Sequence, residues 1–138
     1  MRVWCRYAQQ VYSTAWENLS RSFVARSERL RHLAVDCGYW LPAGRWWHKT
    51  EVEWDVVSGN GDGTKALLGE AKWSEKPFGD KEIEIMAERI KHRTPPMGIS
   101  ENPCFVLFLP SIENNSLRAD TLDSVEIVTA EDIVAIDA

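Results

Sequence analysis

Three residues between positions 51 and 73, in the stretch EVEWDVVSGNGDGTKALLGEAKW, have types and spacing suited to phosphoryl chemistry. Asp55 lies in the first apolar run, and Glu70 and Lys72 lie in the second. Side chains alternate along a strand, so Glu70 and Lys72 project on one side while Gly69, Ala71 and Trp73 take the other. In the preceding run Glu51, Glu53 and Asp55 share one side, opposite Val52, Trp54 and Val56. If the runs pair across the turn, register can bring Asp55 close to Glu70 and Lys72. Two carboxylates are the usual protein share of a Mg²⁺ site, with water and phosphate oxygens completing the octahedron. Such an ion polarises a phosphoryl group and eases ionisation of a bound water. A lysine beside that water can orient it and stabilise the negative charge that develops. The same alternation also describes the polar face of a half-exposed strand. Apolar neighbours on both runs favour a place near the sheet centre, where charges without a role are costly.

The turn between the runs is a hairpin turn and no phosphate loop. Asn60-Gly61 and Asp62-Gly63 are hairpin-turn dipeptides. The stretch lacks a G-K-[ST] ending and does not lead into a helix. Upstream, Val11, Ala15, Trp16, Leu19, Phe23, Leu30 and Leu33 mostly recur at helical steps, predicting a helix over 11–33, with Cys37-Gly38 following its end. Glu17 follows Trp16 near that apolar stripe, where its carboxylate could reach the sheet patch as an outer ligand; the plainer reading is a solvated helical glutamate. YWLPAGRWW places a Pro42–Gly44 turn between two aromatic extended pieces. Residues 79–92 read as an amphipathic helix with Ile83, Met86 and Ile90 on one side. CFVLFLP reads as a strand buried on both faces. SIENNSLRADTLDS is a polar connection, VEIVT a strand and AEDIVAID a short closing helix. The order predicts an α/β fold with a mixed central sheet flanked by helices.

The 138 residues suit one domain, and 44% hydrophobic with 27% charged residues describe a globular chain. No run approaches the roughly 18–20 apolar residues of a membrane span, and the start has no signal-peptide core, so a cytoplasmic location without membrane contact is expected. The spacing of Cys5, Cys37 and Cys104 suggests no zinc site, so reduced structural thiols are expected. The net charge of −5 argues against a general nucleic-acid coat. Its distribution is uneven: the first 50 residues carry eight Lys/Arg against three Asp/Glu, and the remainder eight against eighteen. A basic first third can face phosphates or simply be a solvated helix face.

Taken together, A-W-E-N-L around Glu17, G-R-W-W, E-V-E-W-D-V-V and L-L-G-E-A-K-W-S resemble one family. It is the nuclease-like C-terminal domain found behind the core of archaeal and bacterial P-loop ATPases of unknown function, similar to the PD-(D/E)XK superfamily with its restriction-endonuclease-like fold. The resemblance covers roughly residues 4–135, with C-F-V-L-F-L-P and V-E-I-V-T-A-E-D-I matching later segments. It implies that Asp55 is the motif aspartate, Glu70 the second metal-binding carboxylate and Lys72 the catalytic lysine. It further implies that Glu17 is the helical acid completing the site, that the Ala71 carbonyl is a metal ligand, and that Glu53 is a weaker candidate. Trp54 stands where the superfamily motif has proline, as is usual in this subfamily. No Walker A motif occurs in the 138 residues, so the chain reads as one nuclease-like domain, standalone or a piece of a longer ATPase, with residues 1–10 as a remnant of an upstream linker.

Two functions follow. The first is a Mg²⁺-dependent DNA endonuclease, Mn²⁺ being an alternative ion. Arg21, Arg26, Arg29 and Arg31 would meet phosphates, the tryptophans could stack on unpaired bases although most of them read as core, and the enzyme would cut as a homodimer, as nucleases of this fold often do. The second is a catalytically silent module that keeps the fold and docks on a partner ATPase or on another copy of itself.

Overall fold

Nothing between Arg2 and Arg26 stops a helix, since the segment has neither glycine nor proline. In the computed structural model it forms α1 (Arg2–Arg26). The structure describes residues 2–50, 52–99, 102–114 and 124–136. The helix predicted over 11–33 therefore starts sooner, at Arg2, and it also stops sooner. Ser27 is the reason for the early stop. Its N–H closes on the Phe23 carbonyl at 3.0 Å, while its backbone turns extended (φ −80°, ψ 120°). Its buried hydroxyl then accepts from the Leu30 N–H at 3.1 Å and caps a new turn, α2 (Glu28–Arg31). A 3₁₀ segment (His32–Cys37) follows and ends at Gly38, whose φ of 72° suits glycine.

The face that α1 buries also differs from the expected stripe. Trp16, Ser20, Phe23 and Val24 are buried, whereas Val11, Ala15 and Leu19 are exposed. Positions 11, 15 and 19 form a row of their own, rotated roughly 100° from the Trp16 row at 3.6 residues per turn. Sequence hydrophobicity counted both rows, but only one meets the sheet.

Five strands form that sheet in the order β1 (Gly44–Trp46), β2 (Trp54–Gly59), β3 (Ala66–Ala71), β4 (Cys104–Phe108) and β5 (Val125–Val128). The first two pairings are antiparallel and the last two parallel. α3 (Asp80–His92) makes the crossover from β3 to β4, as a parallel connection requires. α4 (Ala130–Ile136) follows β5. Of the two aromatic extended pieces, only GRW is a strand, and Trp40 contributes one bridge to Asn60. The β2–β3 turn is a hairpin turn as read, held down by buried Asn60, whose amide donates to the Ala34 carbonyl at 2.9 Å.

Helices cover both faces. Trp16, Phe23 and Val24 of α1 pack with Leu67, Val106 and Phe108, and α4 adds Ile133 to that layer. Ile83, Ala87 and Ile90 of α3 pack with Leu68, Leu107 and Leu109 on the other face. β4 is thus buried on both faces, as its continuous apolar run implies. The expected α/β class with a mixed central sheet between helices is the observed one. Glu51, most of the polar connection (115–123) and Asp137 lie outside the described residues. No described helix is long and apolar enough to cross a membrane.

Candidate active site

The hairpin register brings the two carboxylates together. Val56 pairs with Gly69, so the next positions outward are Asp55 and Glu70. They lie where β2 begins and β3 ends, so the expected place near the centre of the sheet is corrected to a strand end, although β3 is the central strand. Asp55 Oδ2 accepts a hydrogen bond from the Ala71 N–H at 3.0 Å. Strict alternation also fails here. Gly44 pairs with Val57 and Trp46 with Trp54, so two steps on β1 match three on β2. Trp54 consequently joins the α3 layer while Val56 joins the α1 layer. An extra residue in a strand re-aims its neighbours, and Asp55 sits inside this irregularity.

Glu70 is only 7% exposed. Each of its oxygens faces a cation: Oε1 lies 3.2 Å from Lys72 Nζ, and Oε2 lies 2.8 Å from Arg93 Nη2. Pairing of this kind is what a buried carboxylate requires. Lys72 extends into solvent, whereas Arg93 is largely covered. The Arg93 guanidinium lies over the Trp54 ring, 5.0 Å from its centroid. Trp54 in turn stacks on Phe105 and donates its indole N–H to the Thr94 carbonyl at 2.9 Å.

α1 supplies the opposite wall through Ser13, Glu17 and Arg21, spaced by four along one helix row. Arg21 Nη1 donates to the Asp55 carbonyl at 2.8 Å. The Phe108 carbonyl accepts from both Trp16 Nε1 (2.8 Å) and the Lys72 N–H (3.0 Å). One oxygen thereby ties the helix turn bearing Glu17 to the strand end bearing Lys72. Glu53 is ion-paired with Arg45. The result is an open cleft of about 570 Å³ gathering Glu17, Glu53, Asp55, Glu70, Lys72 and Arg93. Burial raises the Asp55 pKa above its ordinary value; the Ala71 N–H opposes that rise, and the Glu70 charge adds to it. Glu17 is raised as well, first by burial and then by the Asp55 charge. Carboxylates crowded in this way favour a cation among them.

The basic face expected to meet phosphates is largely engaged within the protein. Arg21 holds Asp55 and Asn18, and Arg29 bridges Glu126 at 3.0 Å and Asp132 at 3.1 Å. Arg26 donates to the Ser22 carbonyl at 3.2 Å, and Arg31 is exposed. Trp16, Trp40 and Trp54 are core, while Trp47 is 66% exposed. Cys104 is partly buried, its thiol 3.6 Å from the Leu33 carbonyl and pushed up in pKa by burial.

The donors at Asp55, Glu70 and the Ala71 carbonyl are hard oxygens, the class Mg²⁺ and Mn²⁺ take. Among the described residues no group of three or more His, Cys, Asp or Glu is placed to hold a metal ion. The oxygens that would hold such an ion are those of Asp55, Glu70 and the Ala71 carbonyl, all at the cleft. Positive charge is already in demand at Glu70, where Lys72 and Arg93 supply it.

Residues 4–92 match the sequence model of DUF234, a family described as archaea bacterial proteins of unknown function. The chain belongs to the DUF234 family. The matched DUF234 segment contains Glu17, Asp55, Glu70, Ala71 and Lys72, and Arg93 follows it directly. No curated protein matches this DUF234 chain. Among solved structures, the DNA modification-dependent restriction endonuclease AspBHI is similar at 23% identity and a TM-score of 0.31, over 68% of this chain. The alignment spans 21% of that enzyme's chain. In this DUF234 member Arg93 is the site residue that the sequence did not reveal. A basic residue at a helix end before Thr-Pro-Pro is also what the helix dipole alone asks for, so its type carried no separate signal.

Proposed function

We propose that this protein is a metal-dependent endonuclease acting on phosphodiester bonds of DNA. The observation that carries the reading is the convergence of Asp55, Glu70 and Lys72 at one strand end, with Asp55 bonded to the Ala71 N–H and Glu17 across the cleft. Asp55, Glu70 and the Ala71 carbonyl would hold Mg²⁺ or Mn²⁺. The ion would neutralise charge on the phosphodiester and ease ionisation of the attacking water. Lys72 Nζ, half in solvent, would orient that water and stabilise charge developing on the phosphoryl oxygens. Glu17 would complete the site from the helix side as an outer ligand. The test is incubation with branched, single-stranded and duplex DNA plus Mg²⁺ or Mn²⁺. Lys72→Ala should lower cleavage by about 10²–10³-fold while leaving circular dichroism unchanged, the scale of losing one charge-stabilising group. Cleavage persisting at the wild-type rate would refute the assignment.

A second reading is supported by the engagement of Arg21 and Arg29 within the protein, which leaves less free positive charge for a nucleic-acid backbone. On that reading the domain is a silent interaction module, docking on a partner ATPase or on a second copy. It predicts no cleavage of any DNA form and no metal binding at millimolar concentrations.

A further inference from the structure

We infer that Arg93 is an exchangeable cation of this cleft, holding Glu70 in the metal-free protein and turning to a substrate phosphate when a metal ion arrives. The inference rests on the metal-site reading above and extends it to a residue at the end of α3.

The charge arrangement motivates it. A carboxylate 7% exposed needs positive charge, and Lys72 and Arg93 supply it. A divalent ion between Asp55 and Glu70 would bring further positive charge against Arg93 and Lys72. Like charges at such separations repel strongly where water is scarce. Lys72 can relax into solvent, being 53% exposed, but the Arg93 side chain is only 20% exposed. Arg93, the more enclosed of the two cations, is the one placed to take a new partner inside the cleft.

The surroundings of Arg93 permit that exchange. Its hold on Trp54 acts through the ring face, which binds a guanidinium without demanding one hydrogen-bond direction. The guanidinium can therefore pivot away from Glu70 while remaining on the ring. Its backbone is fixed on both sides: the Arg93 N–H bonds the Ile90 carbonyl, and the next carbonyl, Thr94, takes the Trp54 indole N–H. Only the side chain has to move. The group it would present is a planar fork that matches two phosphate oxygens at once.

Titration calorimetry with Mn²⁺ alone tests the first half of the exchange. Arg93→Gln should bind Mn²⁺ roughly three- to tenfold more tightly than wild type, because a competing positive charge is gone. Arg93→Lys, which keeps the charge, should stay near wild type. If Arg93→Gln fails to fold, Arg93→Met retains an apolar stem over Trp54 and replaces it. Binding of a branched DNA oligonucleotide, compared in EDTA and in Ca²⁺, tests the second half. Wild type should gain affinity with Ca²⁺, and Arg93→Gln should lose about tenfold of that gain, the share of a charge-assisted phosphate contact. Equal or weaker Mn²⁺ binding by the Gln and Met variants overturns the inference, as does a Ca²⁺-dependent DNA gain that is absent in wild type or undiminished in Arg93→Gln. Wild-type protein that binds no Mn²⁺ at millimolar concentration overturns the metal reading and this inference together. Wild type that binds Mn²⁺ while the variants match it overturns only the exchange.

Discussion

Asp55 and Glu17 concentrate the electrostatic cost of the cleft. Burial raises both above their ordinary values of 3.8 and 4.5, so the folded protein holds these protons more tightly than the unfolded chain. Their contribution to stability is full below those ordinary values and is lost as pH rises through the raised folded values. Once ionised, both groups therefore work against the fold. Asp55→Asn keeps an oxygen to accept from the Ala71 N–H and removes the charge. In EDTA at neutral pH its melting temperature should rise by about 3 °C, water around the part-solvated side chain limiting the gain. The heat of Mn²⁺ binding should vanish in the same variant. A lower melting temperature would mean that the aspartate charge stabilises the metal-free cleft.

The hairpin and the strand beside it set how closely this cleft can be built. Gly69 lies one residue before Glu70 in β3, and an added Cβ would meet Phe108 Cε2 at 2.9 Å, the Val106 carbonyl at 3.1 Å and Val56 Cβ at 3.2 Å. The Val106 oxygen belongs to the paired strand β4 and cannot swing aside. Gly69→Ala should cost about 1–3 kcal/mol, read as a lower urea midpoint, and an unchanged midpoint would show that the layers yield more than their packing implies. The sequence carried much of this arrangement. Turn dipeptides at 60–63 indicated which strands pair, and one of the registers they allow brings Asp55 beside Glu70. The period of α3 and the unbroken apolar run of β4 were equally legible, because each is set by its own residues. What escaped was set by a local choice that burial decides, or by partners in other elements. Ser27 stops α1 through a buried cap, Trp54 and Val56 part company at an irregularity opposite β1, and Arg93 joins the cleft only because Trp54 lies beneath it.

Across the fold, the cleft lies on a seam between the α1 layer and the sheet, with Arg93 reaching in from the end of the helix on the other face. The Phe108 carbonyl joins that seam, taking the Trp16 indole and the Lys72 amide together. Phe108 itself is fully buried at the end of a strand covered on both faces. Separating the helix turn of Glu17 from the strand end of Lys72 therefore means breaking the bonds at this one buried oxygen. The shared oxygen turns a matter of geometry into one of time. In hydrogen exchange, the Trp16 indole proton and the Lys72 amide proton should leave together, at the slow rate of global unfolding. Trp16→Phe should hasten the Lys72 proton too, and independent exchange of the two protons in wild type would contradict the coupling. On this account the cleft has no clock of its own: it persists as long as the fold does.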